Sequence, residues 1–281
     1  MFADDCTLSC AIKRNDLSGA HALINLNLQS VSRWTNANKI KINAQKTKYM
    51  IFSYRDRFQF GEPVIIDTEV IEQVTSVKFL GMFLDNNLCF SYHVNHISGI
   101  IARCLGIFGK LRSFFPIRIM KSLYYALVYP YLSYGVEVWY SAAPAYVRNQ
   151  IVVLQKKIVR VMNSLEYVAH TLPYILNMEL LPVEYVYQYR VSQYLFKTLN
   201  IPNFDRYLSV KLVTLLDQHD HNTRGTDRFV VPVFRRVKSD SHIHCVSVKL
   251  WNSLPCNVKN KNSLCSFKRE VRVHLLTLLS V

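Results

Sequence analysis

The sequence lacks several features that define other classes of protein. Its first residues, MFADDC, place two acids where a secretory signal would carry basic residues, so no signal peptide is predicted. The most apolar stretch, residues 123–147, is interrupted by Glu137 and two prolines and predicts buried helix and turn rather than a membrane span. Residues 106–110 lack the spacing of a phosphate-binding loop, and neither a nucleophile elbow nor a zinc-protease helix occurs. These absences argue against a membrane partner and against a complete small enzyme of those classes.

Cysteine occurs without any spacing that predicts a metal site or a disulfide framework. The seven cysteines are odd in number and irregularly spaced, and no C-x-x-C pair is present. We therefore expect reduced thiols in an intracellular protein, nuclear or cytoplasmic.

Acidic residues are scarce beside basic ones. The chain has 19 Asp and Glu against 34 Lys and Arg, a formal net charge of +15, and half of its residues are apolar. That apolar content suffices for a buried core, and such an excess of positive charge favours an anionic partner. Nucleic acid without sequence preference is the leading candidate, and the alternative is a basic surface that binds no ligand.

The first part of the chain predicts one helix and several short strands. Apolar residues at steps of three and four from Leu17 to Trp34 predict an amphipathic helix. After Lys39 the pattern alternates, as it does in a half-buried strand. Strands are predicted over residues 49–52, 64–66, 70–74 and 77–84.

From about Ser91 the apolar spacing becomes helical. One helix is predicted from Val94 to Phe115 and ends before Pro116, and others are predicted over residues 119–129 and 147–161 and around Phe267. The sequence thus predicts an α+β protein, with a β-rich module first, an all-helical module second, and a boundary between residues 85 and 91.

Several motifs follow one another along the chain. The turn Phe2-Ala3-Asp4-Asp5 carries adjacent carboxylates, an arrangement that can hold a divalent metal. The later motifs are WTNANKIKINAQKTKYMIF at 34–52, FLGMFLD at 79–85, YPYLSYGVEVW at 129–139 and WNSLP at 251–255. In this order they resemble the motifs of non-LTR retrotransposon reverse transcriptases, and most closely those of the jockey-like elements of animals.

The resemblance implies a fold and partners. Residues 1–88 would form a partial palm of short antiparallel strands plus a helix, residues 89–165 a helical thumb-like domain, and residues 166–281 a helical C-terminal region. An RNA template and a DNA primer would be the partners of the complete polymerase.

The resemblance also implies roles for individual residues. Asp4 and Asp5 would be catalytic and would bind Mg²⁺ or Mn²⁺, and Lys46 could act as a general acid. Phe79, Leu80 and Gly81 would form the primer grip. The alternatives are a solvated turn for the Asp pair, a solvated lysine at a strand end, and simple hairpin core.

The family's first catalytic aspartate, fingers and template-contacting loop would precede the F-A-D-D turn, and no segment of this sequence resembles them. We therefore expect an incomplete polymerase that is inactive alone. A nucleic-acid-binding or interaction module without catalysis, derived from such an element, is the alternative.

Basic residues of the predicted helical module could neutralise phosphates. They are Arg103, Lys110, Arg112, Arg148, Lys156, Lys157 and Arg160. The last four are predicted to share the face of one helix opposite its apolar stripe. Tyrosines between residues 124 and 134 could stack on bases or pack in the core.

Overall fold

The computed structural model describes residues 6–11, 17–53, 60–205, 212–214, 228–232 and 242–280. The chain divides into two compact units, residues 1–88 and residues 89–281. None of the helices in the described ranges combines the length and the apolar character that a membrane crossing requires.

The first unit combines a long helix with short strands. Helix α1 (Leu17–Ala37) is followed by β1 (Lys48–Tyr49), β2 (Val64–Ile66), β3 (Glu69–Gln73), β4 (Ser76–Phe79) and β5 (Met82–Asp85). Strands β1, β3 and β2 lie side by side in that order, and β4 and β5 form a separate antiparallel hairpin. Because β1 runs parallel to β3, the expectation of antiparallel strands alone is wrong for this pair. Their connection passes through β2 and is long enough to bring the chain back in the same direction.

Helix α1 packs on β2 through the face that the apolar spacing predicted. Val64 and Ile66 are buried on one side of β2 because side chains alternate along a strand, and Ile71 joins them from β3. Ile24 and Leu28 of α1 pack against these three residues. The predicted helix from Leu17 to Trp34 is thus confirmed.

The prediction of a strand over residues 49–52 is wrong for most of that segment. The carbonyl oxygen of Asn43 accepts hydrogen bonds from the backbone N–H groups of Lys46 (3.1 Å) and Thr47 (3.0 Å), which closes a turn. After this turn only Lys48–Tyr49 pair with β3, and residues 50–53 have no strand structure. The strands predicted over residues 64–66 and 70–74 correspond to β2 and β3, whereas the one predicted over residues 77–84 is two strands, β4 and β5, joined by a turn.

The described part of the second unit is built mainly of helices. They are α2 (Ser91–Leu111), α3 (Ile117–Leu127), α4 (Tyr129–Ser133), α5 (Val136–Trp139), α6 (Ala145–Met162), α7 (Leu172–Asn177), α8 (Val183–Asn200), α9 (Ile243–Ser253), α10 (Cys256–Lys259) and α11 (Leu264–Ser280). The helices expected near residues 94–115, 119–129 and 147–161 and around Phe267 are therefore confirmed.

Helix α2 ends earlier than its apolar spacing predicted. Its last residue is Leu111, and the backbone N–H groups of Phe114 and Phe115 both donate to the Leu111 carbonyl oxygen in a turn. Helical backbone is disfavoured for a residue that precedes a proline, which here is Phe115. Pro116 itself is the N-cap of α3. Phe115 therefore does not extend the buried stripe of α2, as the spacing suggested.

Helix α8 lies at the centre of the second unit. It packs against α4, α5, α6, α9 and α11. The ring of Phe267 on α11 is buried and stacks on Phe196 of α8, with ring centroids 4.2 Å apart, and on Trp251 of α9, at 5.8 Å. The segments predicted as a thumb-like domain and a C-terminal region thus lie together in one compact unit.

A buried glutamine joins three parts of this core. The side-chain nitrogen of Gln155 on α6 donates to the Tyr124 hydroxyl (2.7 Å) and to the Leu181 carbonyl oxygen (2.9 Å). Its side-chain oxygen accepts from the backbone N–H of Val183 at 3.0 Å. These bonds fix α6 against α3 and against the start of α8.

Candidate nucleic-acid interface

The charges of the second unit are distributed unevenly along the chain. Residues 86–165 contain nine Lys and Arg but a single acidic residue, Glu137. Helices α2 and α6, which form the most extensive helix pair of the unit, carry no acidic residue. An anionic ligand approaching these two helices would therefore meet almost no repulsion from carboxylates on this segment.

A shallow groove of about 580 Å³ lies between α2 and α6. Five of the nine residues that line it are small or aliphatic, and the others are an exposed tyrosine, two amides and a lysine. The lining residues are Ser98, Gly99 and Ala102 of α2, and Tyr146, Asn149, Gln150, Val153, Leu154 and Lys157 of α6. Such a groove can accept an extended chain whose backbone is charged.

Cations flank the groove on both helices. A Cβ atom placed on Gly99 would lie 4.0 Å from Nη1 of Arg103, so this guanidinium group lies over the α2 wall. Lys157 lines the α6 wall, and Lys156 is exposed beside it. Within the described part of the chain these three side chains form no ion pair. Their charges are thus not neutralised by any acidic residue that the structure describes.

Two of the predicted phosphate-binding arginines make contacts within the protein. The Arg148 guanidinium carbon lies 5.0 Å from the centre of the Tyr140 ring. Burial raises the pKa of Tyr140 to about 12; nearby Glu184 adds to this shift and Arg148 opposes it. Arg160 donates from Nε to the Ala169 carbonyl oxygen at 3.0 Å. Arg148 therefore does not share the outer face of α6 with Lys156, as the sequence suggested, because a tertiary contact with Tyr140 holds it.

The remaining cations of the predicted set lie at the end of α2. Lys110 is in its last turn and Arg112 directly follows it, and both are exposed. They continue the basic character of the α2 surface beyond the groove.

The tyrosines between residues 124 and 134 differ in burial. Tyr124 is buried and bound to Gln155, and the Tyr125 hydroxyl accepts a hydrogen bond from Nη2 of Arg272 at 2.7 Å. Tyr131 and Tyr134 are exposed. Packing therefore accounts for the first two, and a role in base stacking stays a prediction for the exposed pair.

The β4–β5 hairpin carries the residues predicted as a primer grip. Phe79 of β4 pairs with Met82 of β5, so Leu80 and Gly81 form a two-residue loop. Their φ angles are 45° and 80°, the combination of a type I′ turn. Leu80 is exposed at the tip, and a leucine seldom adopts this backbone conformation. The hairpin thus presents an apolar side chain on a strained turn.

The predicted catalytic residues are only partly within the described chain. Asp4 and Asp5 lie outside the described residues. Lys46 is exposed in the turn that precedes β1, where its backbone N–H donates to the side-chain oxygen of Asn43 at 3.1 Å. Across the ranges that the structure does describe, no three His, Cys, Asp or Glu side chains lie close enough to hold a metal ion.

Sequence reasoning missed two features that depend on tertiary contacts. Gln155 is polar by residue type, and its burial on α6 was not predicted. Arg272 donates to both Tyr125 and the Glu179 carbonyl oxygen (2.8 Å), contacts between residues far apart in the chain. The signal available for Gln155 was its place in the apolar stripe, four residues after Ile151.

The chain is similar to curated proteins of mobile elements. It is 27% identical over 146 residues to the probable RNA-directed DNA polymerase from transposon BS of Drosophila melanogaster, and 27% identical over 139 residues to that from transposon X-element of the same fly. It is also 26% identical over 163 residues to the RNA-directed DNA polymerase from mobile element jockey of that fly.

These similarities cover part of each chain. They involve 50%, 48% and 57% of this chain and 16%, 15% and 17% of the respective relatives. The matched segment thus spans about one sixth of the length of each relative. No protein-family model and no solved structure matches the chain. The similarities support a relation to mobile-element RNA-directed DNA polymerases.

Proposed function

We propose that this chain serves template-directed nucleotidyl transfer by a mobile-element RNA-directed DNA polymerase of the jockey-like type, and that its helical unit holds the nucleic acid. The observation that carries the proposal is the acid-free α2–α6 groove with Arg103, Lys156 and Lys157 beside it. The three relatives are all described as RNA-directed DNA polymerases, which supports the same class of ligand.

The groove binds the sugar–phosphate backbone rather than base edges. Arg103 on one wall and Lys157 on the other neutralise phosphates, and Lys156 adds a third charge. The amides of Asn149 and Gln150 offer hydrogen bonds that do not depend on base sequence. Such contacts position a nucleic acid without reading it, as a polymerase requires of the duplex that it extends.

The roles of the palm-like unit follow from the family resemblance. Asp4 and Asp5 would hold Mg²⁺ or Mn²⁺, which supplies charge stabilisation for phosphoryl transfer when it is bound. Lys46, exposed in its turn, would donate a proton to the leaving group. Leu80 at the hairpin tip, with Phe79 and Gly81, would support the primer end.

We expect these 281 residues alone not to extend a primer. The resemblance requires three metal-binding carboxylates, and only Asp4 and Asp5 match its motifs here. The test is incubation of the purified chain with a primed RNA template, deoxynucleotides and Mg²⁺. Template-dependent extension that disappears in Asp4→Ala would contradict this expectation.

Binding is tested separately from catalysis. Fluorescence anisotropy with a labelled RNA–DNA hybrid compares the parent with a variant that carries Arg103→Gln, Lys156→Gln and Lys157→Gln. We expect about tenfold weaker binding, because three phosphate contacts are lost. The matched control carries Lys259→Gln, Lys268→Gln and Arg269→Gln, with the same loss of charge on α10 and α11, and it should bind like the parent. Equal weakening in both variants would show that net charge alone attracts the ligand.

The second candidate function is a nucleic-acid-binding module without catalysis. It is favoured because the groove lies wholly within residues 89–281, whereas the residues proposed for chemistry lie in residues 1–88. A chain that depends on its groove for binding, and that fails to restore extension when it is mixed with an upstream palm and fingers segment from a related element, would establish this alternative.

A further inference from the structure

Two phenylalanine side chains lie exposed in the turn between α2 and α3. Phe114 is 77% exposed and Phe115 is 44% exposed. Their backbone N–H groups donate to the Leu111 carbonyl oxygen at 3.0 and 3.2 Å, and Pro116 fixes the start of α3. The turn therefore presents both side chains from a well-defined backbone, so little conformational freedom is left to lose when a ligand binds.

Cations surround this turn on both sides. Lys110 and Arg112 precede the phenylalanines and Arg118 follows them, and all three are exposed. None of the three forms an ion pair within the described part of the chain, and the sequence holds no acid between Asp85 and Glu137. A ligand complementary to this turn would therefore be anionic and would also cover an aromatic ring.

Single-stranded nucleic acid has both properties. An unpaired base offers a flat face on which a phenylalanine ring can stack, and its phosphate offers a charge to the neighbouring cation. A duplex does not, because its bases already stack on one another. An anionic membrane suits the turn less well, since it favours a helix with one continuous apolar face. The exposed Ile117 and Ile119 of α3 are two residues apart and do not share a face.

We propose that the α2–α3 turn, residues 112–116, is a stacking site for unpaired nucleotides, with Phe114 as the main contact and Lys110, Arg112 and Arg118 holding the adjoining phosphates. The proposal rests on the proposed function, because it adds a single-strand site to the same basic helical unit that carries the α2–α6 groove.

The test measures binding of the full chain to a labelled oligothymidylate and to a blunt duplex with the same number of phosphates. The variant Phe114→Leu keeps an apolar side chain but removes the ring, and Phe114→Trp restores a ring. We expect Phe114→Leu to weaken oligothymidylate binding roughly tenfold and to leave duplex binding unchanged. Phe114→Trp should bind the oligothymidylate at least as well as the parent. The control Tyr167→Leu removes a ring that is also 77% exposed but lies beside Glu166, and it should change neither affinity.

A second readout reports stacking itself. With 2-aminopurine in the single strand, the parent should quench its fluorescence and Phe114→Leu should quench it less. Unchanged binding and quenching in Phe114→Leu, with the parent bound to both probes, would overturn the stacking site and leave the proposed function intact. Failure of the parent to bind either probe would overturn both. If Phe114→Leu instead lost binding to phosphatidylserine vesicles while its oligothymidylate binding stayed at the parental level, the turn would be a membrane contact and the proposal would be wrong.

Discussion

The two units of the chain differ most in how much apolar surface they bury. In the described part of residues 1–88 the core cluster consists of three buried side chains, Val64, Ile66 and Ile71, and the partly buried residues around them. In residues 89–281 large side chains such as Trp139 and Phe267 are fully enclosed. Meanwhile Trp34 of α1 is 56% exposed and Val70 of β3 is 63% exposed. The helical unit thus holds its shape by packing, whereas the β-containing unit has far less burial to stabilise its short strands.

This difference predicts unequal local stability. Amide hydrogens in elements with few buried contacts exchange through low-energy local openings, and amides in a packed core exchange only in larger ones. A rigid helical unit suits a surface that holds a ligand at fixed geometry. The largest effects are therefore expected from changes in the packed helical unit, and the smallest from the strained turn of the β-containing unit.

The largest effect is expected at the buried glutamine of the helical unit. Gln155→Leu would leave the Tyr124 hydroxyl, the Leu181 carbonyl and the Val183 N–H without their partner. Each buried polar group left unsatisfied costs about 1–3 kcal/mol, so we expect a loss of about 3 kcal/mol in the free energy of unfolding. Urea denaturation measures this loss.

The control for this variant is Gln150→Leu on the same helix. Gln150 is exposed, and its replacement should change the free energy of unfolding by less than about 0.5 kcal/mol. Similar losses in the two variants would mean that Gln155 does not organise the core.

A smaller loss in the free energy of unfolding is expected when the pH is lowered. His93 is buried beside Trp139, and burial, with a further contribution from His96, lowers its pKa to about 4. An unfolded histidine titrates near 6.5, so between about pH 6.5 and 4 the unfolded chain binds a proton that the folded chain does not. Stability from this site is therefore complete above pH 6.5 and falls as the pH decreases towards 4. We expect a loss on the order of 2 kcal/mol over that range.

The measurement is urea denaturation of the parent and of His93→Gln at a series of pH values. The difference between the two should shrink as the pH falls, because only the parent carries the buried imidazole. The exposed His170→Gln serves as the control and should follow the parent throughout. Parallel curves for the parent and His93→Gln would mean that the loss of stability in acid does not come from His93.

The smallest effect is expected in the β4–β5 hairpin. Leu80→Asn places a residue that tolerates positive φ at a position where φ is 45°. We expect a gain of about 0.5–1 kcal/mol in local stability, measured as slower hydrogen exchange of the β4 and β5 amides. Gly81→Ala, at a φ of 80°, should have the opposite effect. Faster exchange in Leu80→Asn would show that contacts of the leucine side chain outweigh the backbone strain.

The parts of the fold that the sequence predicted are those set by local periodicity. Apolar residues at steps of three and four predicted helices α1 and α6. The same spacing predicted that Lys156 and Lys157 lie outside the buried stripe of α6. The parallel pairing of β1 with β3 was missed because pairing between distant segments leaves no local pattern. The contact of Arg148 with Tyr140 was missed for the same reason.

The predicted end of α2 was wrong, and the correction exposes two aromatic side chains that a ligand could contact. Phe115 continues the helical spacing of α2, so the sequence placed it in the core. Pro116 restricts the backbone of the residue before it, and the helix ends at Leu111 instead. The two phenylalanines thereby become surface residues, and a helical pattern alone could not reveal this.

Phosphate binding in the α2–α6 groove should be visible in the dependence of affinity on salt. The logarithm of the binding constant for a DNA duplex falls with the logarithm of salt concentration by about 0.9 for each phosphate contact. The variant with Arg103→Gln, Lys156→Gln and Lys157→Gln should therefore show a slope smaller than that of the parent by about 2 to 3. The control with Lys259→Gln, Lys268→Gln and Arg269→Gln should keep the parental slope. Equal slopes for the parent and the groove variant would contradict phosphate binding in the groove and place the nucleic-acid contacts on another surface.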